Sequence, residues 1–377
     1  MSKYTFTRIS KASTNFSVFQ SPAINDAGTV AFEGFIDGVS PPSGILKGSG
    51  AENTTIVTAA PFTNIFYSPT INNNGTTTFV GTFYSADFTQ AYMGIFRKTG
   101  EQYRTITDST GRFNYFSVAA TNNTGAVAFN TILDNGNTGI YLSKGGQITT
   151  IASSRGRFSD FYVGFDTVGG DGPPSAYSIP SINDRGVVAF HAKLDTGATG
   201  IFAGSGKGTR TIADSTGMFN SFSSPSINNS GTVAFMAQKD NGQHGIYKVN
   251  RQGELRTVVD ENGPFSFFNS DPALNDQGDV AFLAYLDAGG SGIYTGRNPA
   301  TSKVIVVGDS LGGSRVAQLV IAEHSLNNNG QIAFGAILEN GTQAIFRADP
   351  VVTNHDAVSM TIGVFAIAGL CWFRRSK

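Results

Sequence analysis

Seven times along this chain an Asn is followed three residues later by Gly, and four residues after that Gly comes Phe. The sets are Asn25/Gly28/Phe32, Asn72/Gly75/Phe79, Asn122/Gly125/Phe129, Asn183/Gly186/Phe190, Asn228/Gly231/Phe235, Asn275/Gly278/Phe282 and Asn327/Gly330/Phe334. Successive asparagines lie 47, 50, 61, 45, 47 and 52 residues apart, a period the size of one propeller blade. Each unit holds four β-like runs, clearest in the fifth as FSSPSIN, GTVAFMA, GIYKV and LRTVVD. Four strands per repeat is the propeller pattern. The third run recurs as Gly-Ile plus a large apolar residue at Gly44, Gly94, Gly139, Gly200, Gly245 and Gly292, with Ala344 in the last unit. The fold expected is therefore all-β, a single seven-bladed β-propeller of four-stranded blades over residues 1–349.

The last repeat stops after its third strand, at Ala344-Ile345-Phe346, whereas the N-terminal run YTFTRIS stands ahead of the first repeat as TRTIADS stands ahead of the fifth. The N-terminal strand should complete the final blade and close the ring, which removes two sheet edges open to aggregation. An open array would instead need polar caps. Asn-x-x-Gly suits a tight hairpin between the first two strands, with Gly at positive φ and Asn bonding the local backbone. The Phe that follows belongs in the packing between blades.

Residues 357–373, AVSMTIGVFAIAGLCWF, carry no charge and are followed by Arg374, Arg375 and Lys377. Such a helix just spans a hydrocarbon core. After a linker at 350–356, residues 357–377 read as a transmembrane anchor with a basic tail. The positive-inside rule places that tail in the cytoplasm and the propeller on the extracytoplasmic side. The N-terminus, MSKYTFTRISKAST, has no apolar run of the signal-peptide kind. The single Cys371 excludes an intrachain disulfide and a Cys-based metal site. A formal net charge of −1, with no basic run before the tail, argues against nucleic acid as a partner.

The tandem units typified by Asn183-Asp184-Arg185-Gly186-Val187-Val188-Ala189-Phe190, joined to an apolar segment and basic tail, resemble the NxxGxxAF tandem-repeat proteins of bacteria, which carry varying C-terminal sorting anchors. The resemblance covers residues 4–348. It implies an exported surface or matrix protein with no assigned activity. The Pro-Glu-Pro that precedes many such anchors is absent, the nearest proline being Pro350 in Ala-Asp-Pro.

Five residues after the repeat Phe comes an acidic residue in six units: Asp37, Asp134, Asp195, Asp240, Asp287 and Glu339; the second unit offers Asp87. These belong to loops joining strands two and three, on the same face as the blade-to-blade loops carrying Asp108, Asp214, Asp260 and Asp309. A face with two sets of carboxylates could bind Ca²⁺, the one cofactor these residues suggest, or hydrogen-bond a glycan. The competing reading is turn chemistry alone, for which Asp-x-Gly is well suited. The longest departure from the repeat, Phe158 to Pro180, holds Asp160, Asp166, Asp171, Tyr162 and Tyr177; extra loop on a rigid scaffold is where specificity tends to sit. Gly308-Asp309-Ser310-Leu311 matches the nucleophile block of Gly-Asp-Ser-Leu esterases, but Asp309-Ser310 occupies the repeat position of Asp108-Ser109 and Asp214-Ser215, and neither His324 nor His355 has an Asp three residues before it. No catalytic residue is assigned. The function expected is non-enzymatic: a membrane-anchored surface or matrix protein whose propeller binds a glycan, cation or protein partner. The alternative is a propeller-type hydrolase or lyase with acidic residues converging on the loop face or the central channel.

Overall fold

In the computed structural model, residues 3–10, 22–35, 43–50, 53–57, 62–85, 89–100, 102–161, 179–268 and 270–351 are described. The strands form seven antiparallel sheets arranged as blades one to seven, over 23–57, 62–108, 113–153, 158–214, 219–260, 265–306 and 314–350. In the third blade the strands are Phe113–Thr121, Val127–Leu133, Thr138–Lys144 and Gln147–Ser153, paired in that order. In blades four to six the first strand is split, as Phe219–Phe222 and Ser226–Ile227 in the fifth, both pairing with Val233–Lys239. Pro225 lies in that break, where a residue without an N–H costs no ladder bond.

The seventh blade takes its outer strand from the other end of the chain. Tyr4–Arg8 pairs antiparallel with Gln343–Pro350, in a register running from Tyr4 opposite Pro350 to Arg8 opposite Phe346. Phe6 packs edge-on against Phe334, with centroids 6.1 Å apart. The ring is thus closed as the repeat count requires.

Phenylalanine fills each blade for a reason visible in the periodicity. The repeat Phe of the second strand meets an aromatic from the first strand and another from the third. These trios are Phe62/Phe79/Phe96, Phe113/Phe129/Tyr141, Phe158/Phe190/Phe202, Phe219/Phe235/Tyr247 and Phe265/Phe282/Tyr294, with centroids about 5–6 Å apart, as in Phe62–Phe96 at 4.7 Å. Edge-to-face packing at these distances adds to the burial of the rings. All seven repeat phenylalanines are buried. The repeat Gly of the third strand lies where the outer strand bulges: a Cβ at Gly139 would stand 2.6 Å from the Ala152 carbonyl, and at Gly200 2.5 Å from that of Ala213.

Blades are also latched side to side. Arg97, Arg210, Lys248 and Arg347 each reach from a third or fourth strand to the carbonyl of the turn Gly in the next blade, on Gly125, Gly231, Gly278 and Gly28. The Arg347 bond, at 2.6 Å, spans the closure. Among the described residues no helix is long and apolar enough to cross a membrane. The expected anchor at 357–373 lies outside the described residues.

Candidate functional site

The Asn-x-x-Gly turns meet around the central channel. Each Gly has positive φ, from 71° at Gly330 to 86° at Gly231 and Gly278, and each Asn Oδ1 accepts the N–H four residues on, as from Thr29, Thr76 and Thr232. That is the local bonding expected from sequence. The other half of each carboxamide leaves the blade. Asn25 Nδ2 donates to the Asn72 carbonyl, and the pattern continues through Asn122, Asn183, Asn228, Asn275 and Asn327, whose Nδ2 returns to the Asn25 carbonyl at 2.8 Å. All seven asparagines are buried.

A second closed ring is built from the residue after each Asn. The backbone N–H of Asp26, Asn73, Asn123, Asp184, Asn229, Asp276 and Asn328 each donates to the side-chain Oδ1 of the next member, at 2.8–2.9 Å. Carboxamides brace the carboxylates: Asp26 Oδ2 accepts from Asn73 and Asn328, Asp184 Oδ2 from Asn123 and Asn229, and Asp276 Oδ2 from Asn229 and Asn328. The two rings, with the collar Ile24, Ile71, Thr121, Ile182, Ile227, Leu274 and Leu326, line an axial cavity of about 150 Å³. His324 completes the lining, in which no Lys or Arg takes part among the described residues.

Four residues before the ring Asn the blades differ, and in the seventh this position lies in a turn closed by the Ser325 N–H on the Ala322 carbonyl. Ser224 stands there in the fifth, Asp271 in the sixth and Glu323 in the seventh. Asp271 Oδ1 accepts the Ser224 N–H at 3.0 Å, tying blades five and six. Glu323 is 5% exposed, its Oε1 is 3.7 Å from His324 Nε2, and its Oε2 has no hydrogen-bond partner among the described residues. Burial lifts both carboxyls to about 7, and the Glu323 charge adds to the rise at Asp271. Burial also lowers His324 to about 4, so its imidazole is neutral at physiological pH.

On the opposite face, where strands two and three and successive blades are joined, a groove of about 500 Å³ runs between blades six and seven. It is lined by Leu283, Tyr285, Ser291, Val307, Leu319 and Ile321, among others. Tyr285 is 40% exposed, and Phe267, its cross-strand partner at 6.0 Å between centroids, is 42% exposed.

The carboxylates expected to form a site lie on this second face, each in its own turn. The backbone N–H groups of Asp134, Asp195, Asp240 and Asp287 bond to Arg112, Arg157, Met218 and Pro264. Asp108 and Asp214 accept from the N–H and hydroxyl of Thr110 and Thr216, and Asp260 accepts from Asn262 and faces Lys239 at 3.6 Å. Among the described residues no group of three Asp, Glu, His or Cys side chains is placed to hold a metal. Asp160 lies on the strand Phe158–Asp160, opposite Lys193. Asp37, Asp87, Asp166, Asp171, Tyr162 and Tyr177 lie outside the described residues. Asp309 bonds the Val306 N–H and the Lys303 ammonium, a turn arrangement at the esterase-like string.

Sequence reasoning passed over the ring residues, although the signal is present: the residue after every repeat Asn is Asn or Asp. It also set aside His324, which stands where five other units carry proline.

No family model matches the chain, and no curated protein matches it. In shape the chain is similar to a puromycin-hydrolyzing peptidase of Mycobacterium tuberculosis, at 12% identity and a TM-score of 0.54, covering 89% of this chain and 52% of the peptidase. It is similar also to the uncomplexed acylaminoacyl peptidase of Pyrococcus horikoshii, at 14% identity and a TM-score of 0.50, covering 75% and 44%. The chain thus spans about half the length of these peptidases. At such identities the likeness is one of fold, the β-propeller.

Proposed function

We propose that the chain is a non-enzymatic binding protein whose propeller is a rigid ring and whose groove between blades six and seven holds a glycan. One observation carries the reading: a groove of about 500 Å³ with Tyr285 exposed in its wall and Phe267 exposed beside it. A cleft of that size, lined by polar and apolar surface in about equal parts with Ser270, Ser291 and Gln318 among its polar groups, is of the kind that takes small ligands. Flat aromatic faces suit the apolar faces of sugar rings. The groove lies on the face where the sequence placed its candidate ligands, although other residues form it. The resemblance to surface repeat proteins, and the apolar run at 357–373 followed by basic residues, support display on the outer side of a membrane.

A glycan array followed by calorimetry on any hit tests the reading. Tyr285→Ala should weaken binding roughly tenfold, the order of one aromatic contact, while thermal unfolding stays within a degree of wild type. An array with no hit, or a hit with unchanged affinity for the variant, would refute it.

A further inference from the structure

The two faces of the propeller differ in charge. Turns between third and fourth strands lie on the face of the Asn-x-x-Gly turns: a Cβ on Gly231 would stand 3.7 Å from Arg251 Cβ, and one on Gly330 3.7 Å from Pro350 Cγ. At or beside these turns blades two to six bring Lys98, Lys144, Lys207, Arg251 and Arg297, and Lys3 joins them at the closure. All but the half-buried Lys98 are exposed. Among the described residues the acids of this rim are Glu254 and Asp349, which face Arg256 at 3.5 Å and Arg347 at 2.7 Å. Nearer the axis, Asp26, Asp184, Asp276 and Asp279 accept hydrogen bonds from ring asparagines. The opposite face sets Asp134, Asp195, Asp240 and Asp287 in its turns.

We propose that this basic rim docks on an anionic lipid surface, turning the Asn-turn face to the membrane and the groove away from it. The inference rests on the reading of display on a membrane and names the face turned to the lipid. A second observation, the path of the chain, points the same way. The strand Gln343–Pro350 ends on the rim face, where the Val351 N–H donates to the Lys3 carbonyl at 2.8 Å. Only residues 352–356 separate Val351 from the uncharged run at 357–373. Fully extended, that link reaches about 20 Å, whereas the strand itself sets the two faces about 25 Å apart. The rim face is therefore the one the link can hold against a bilayer. Cations on that face then meet anionic headgroups, each strengthening the contact roughly fivefold.

The test is flotation of the full chain with vesicles of phosphatidylcholine, alone or with about a third phosphatidylglycerol. Val364→Asp with Ala366→Asp puts two charges into the apolar run and blocks its insertion, so that this chain reports the rim alone. It should float with the anionic vesicles only and come off in about 0.5 M salt. Adding Lys144→Glu, Lys207→Glu and Arg251→Glu should lower its partition roughly a hundredfold, and Lys144→Gln alone roughly fivefold. These side chains are exposed, so thermal unfolding should stay as in the parent. The proposal is overturned by equal binding to neutral vesicles, by absence of binding to anionic ones, by unchanged partition in the rim variants, or by retention on heparin without any vesicle binding, which would make the rim a polysaccharide site. The anchor is read separately: the unmodified chain should stay with neutral vesicles in high salt, and its release would refute the anchor while the rim variants still decide the face.

Discussion

Replacing one asparagine of the inner ring tests whether the ring holds the blades together. Asn228 is 4% exposed; its Nδ2 donates to the Asn275 carbonyl at 3.0 Å, and its Oδ1 accepts the Thr232 N–H at 3.0 Å and the Ser230 hydroxyl at 2.7 Å. Asn228→Ala leaves the half-buried Thr232 N–H without its partner and removes one of two donors to the buried Asn275 carbonyl, which keeps the Gly278 N–H. An orphaned N–H costs about 1–3 kcal/mol and a lost hydrogen bond about 1 kcal/mol, so the variant should lose about 3 kcal/mol and, for a chain of this size, roughly 4 °C in unfolding temperature. Asn228→Asp keeps the acceptor for Thr232 but sets a buried carboxylate oxygen against the Asn275 carbonyl, and should lose at least as much. Urea unfolding followed by far-ultraviolet circular dichroism reads the difference, with the exposed turn residue Asn241→Ala as a control expected within about 0.5 kcal/mol of wild type. If Asn228→Ala matches the Asn241 control, the ring adds nothing to stability and the argument fails.

Gly200→Ala should cost about 2 kcal/mol, since a Cβ there meets the Ala213 carbonyl at 2.5 Å and the Asp214 Cβ at 2.8 Å; a stability equal to wild type would show that the outer-strand bulge yields freely. Removing residues 1–9 strips the outer strand from Gln343–Pro350 and exposes a sheet edge. Light scattering should then show self-association, and a monomer of unchanged unfolding temperature would count against closure. A carboxyl raised to about 7 by burial stabilises fully below its unfolded value near 4 and loses that contribution as pH rises through about 7. His324, lowered to about 4, acts in the opposite sense by losing stability as pH falls from about 6.5. Comparing Glu323→Gln with wild type isolates the carboxyl: the variant's advantage should grow by about 2 kcal/mol between pH 5 and pH 8, and an advantage independent of pH would place Glu323 in a solvated site.

Repeat phase, count and closure were all legible in the chain, because a period near 47 and an incomplete last unit are facts about order along a line. The hairpin role of Asn-x-x-Gly was legible too, since turn geometry involves only neighbours in sequence. The carboxamide rings were not, because Asn25 and Asn72 bond across 47 residues and the cycle exists only once the seventh blade meets the first. The loop-face carboxylates read as a set in sequence, and among them Asp108, Asp214 and Asp260 each accept hydrogen bonds from residues of their own turns. Sequence by itself determined the unit and how many times it recurs, through local hydrogen bonding and alternating burial. Only the tertiary structure decided which equivalent positions meet around the channel, joining Asn327 to Asn25 and setting His324 in the cavity lining, since that depends on closing a ring whose members are far apart along the chain.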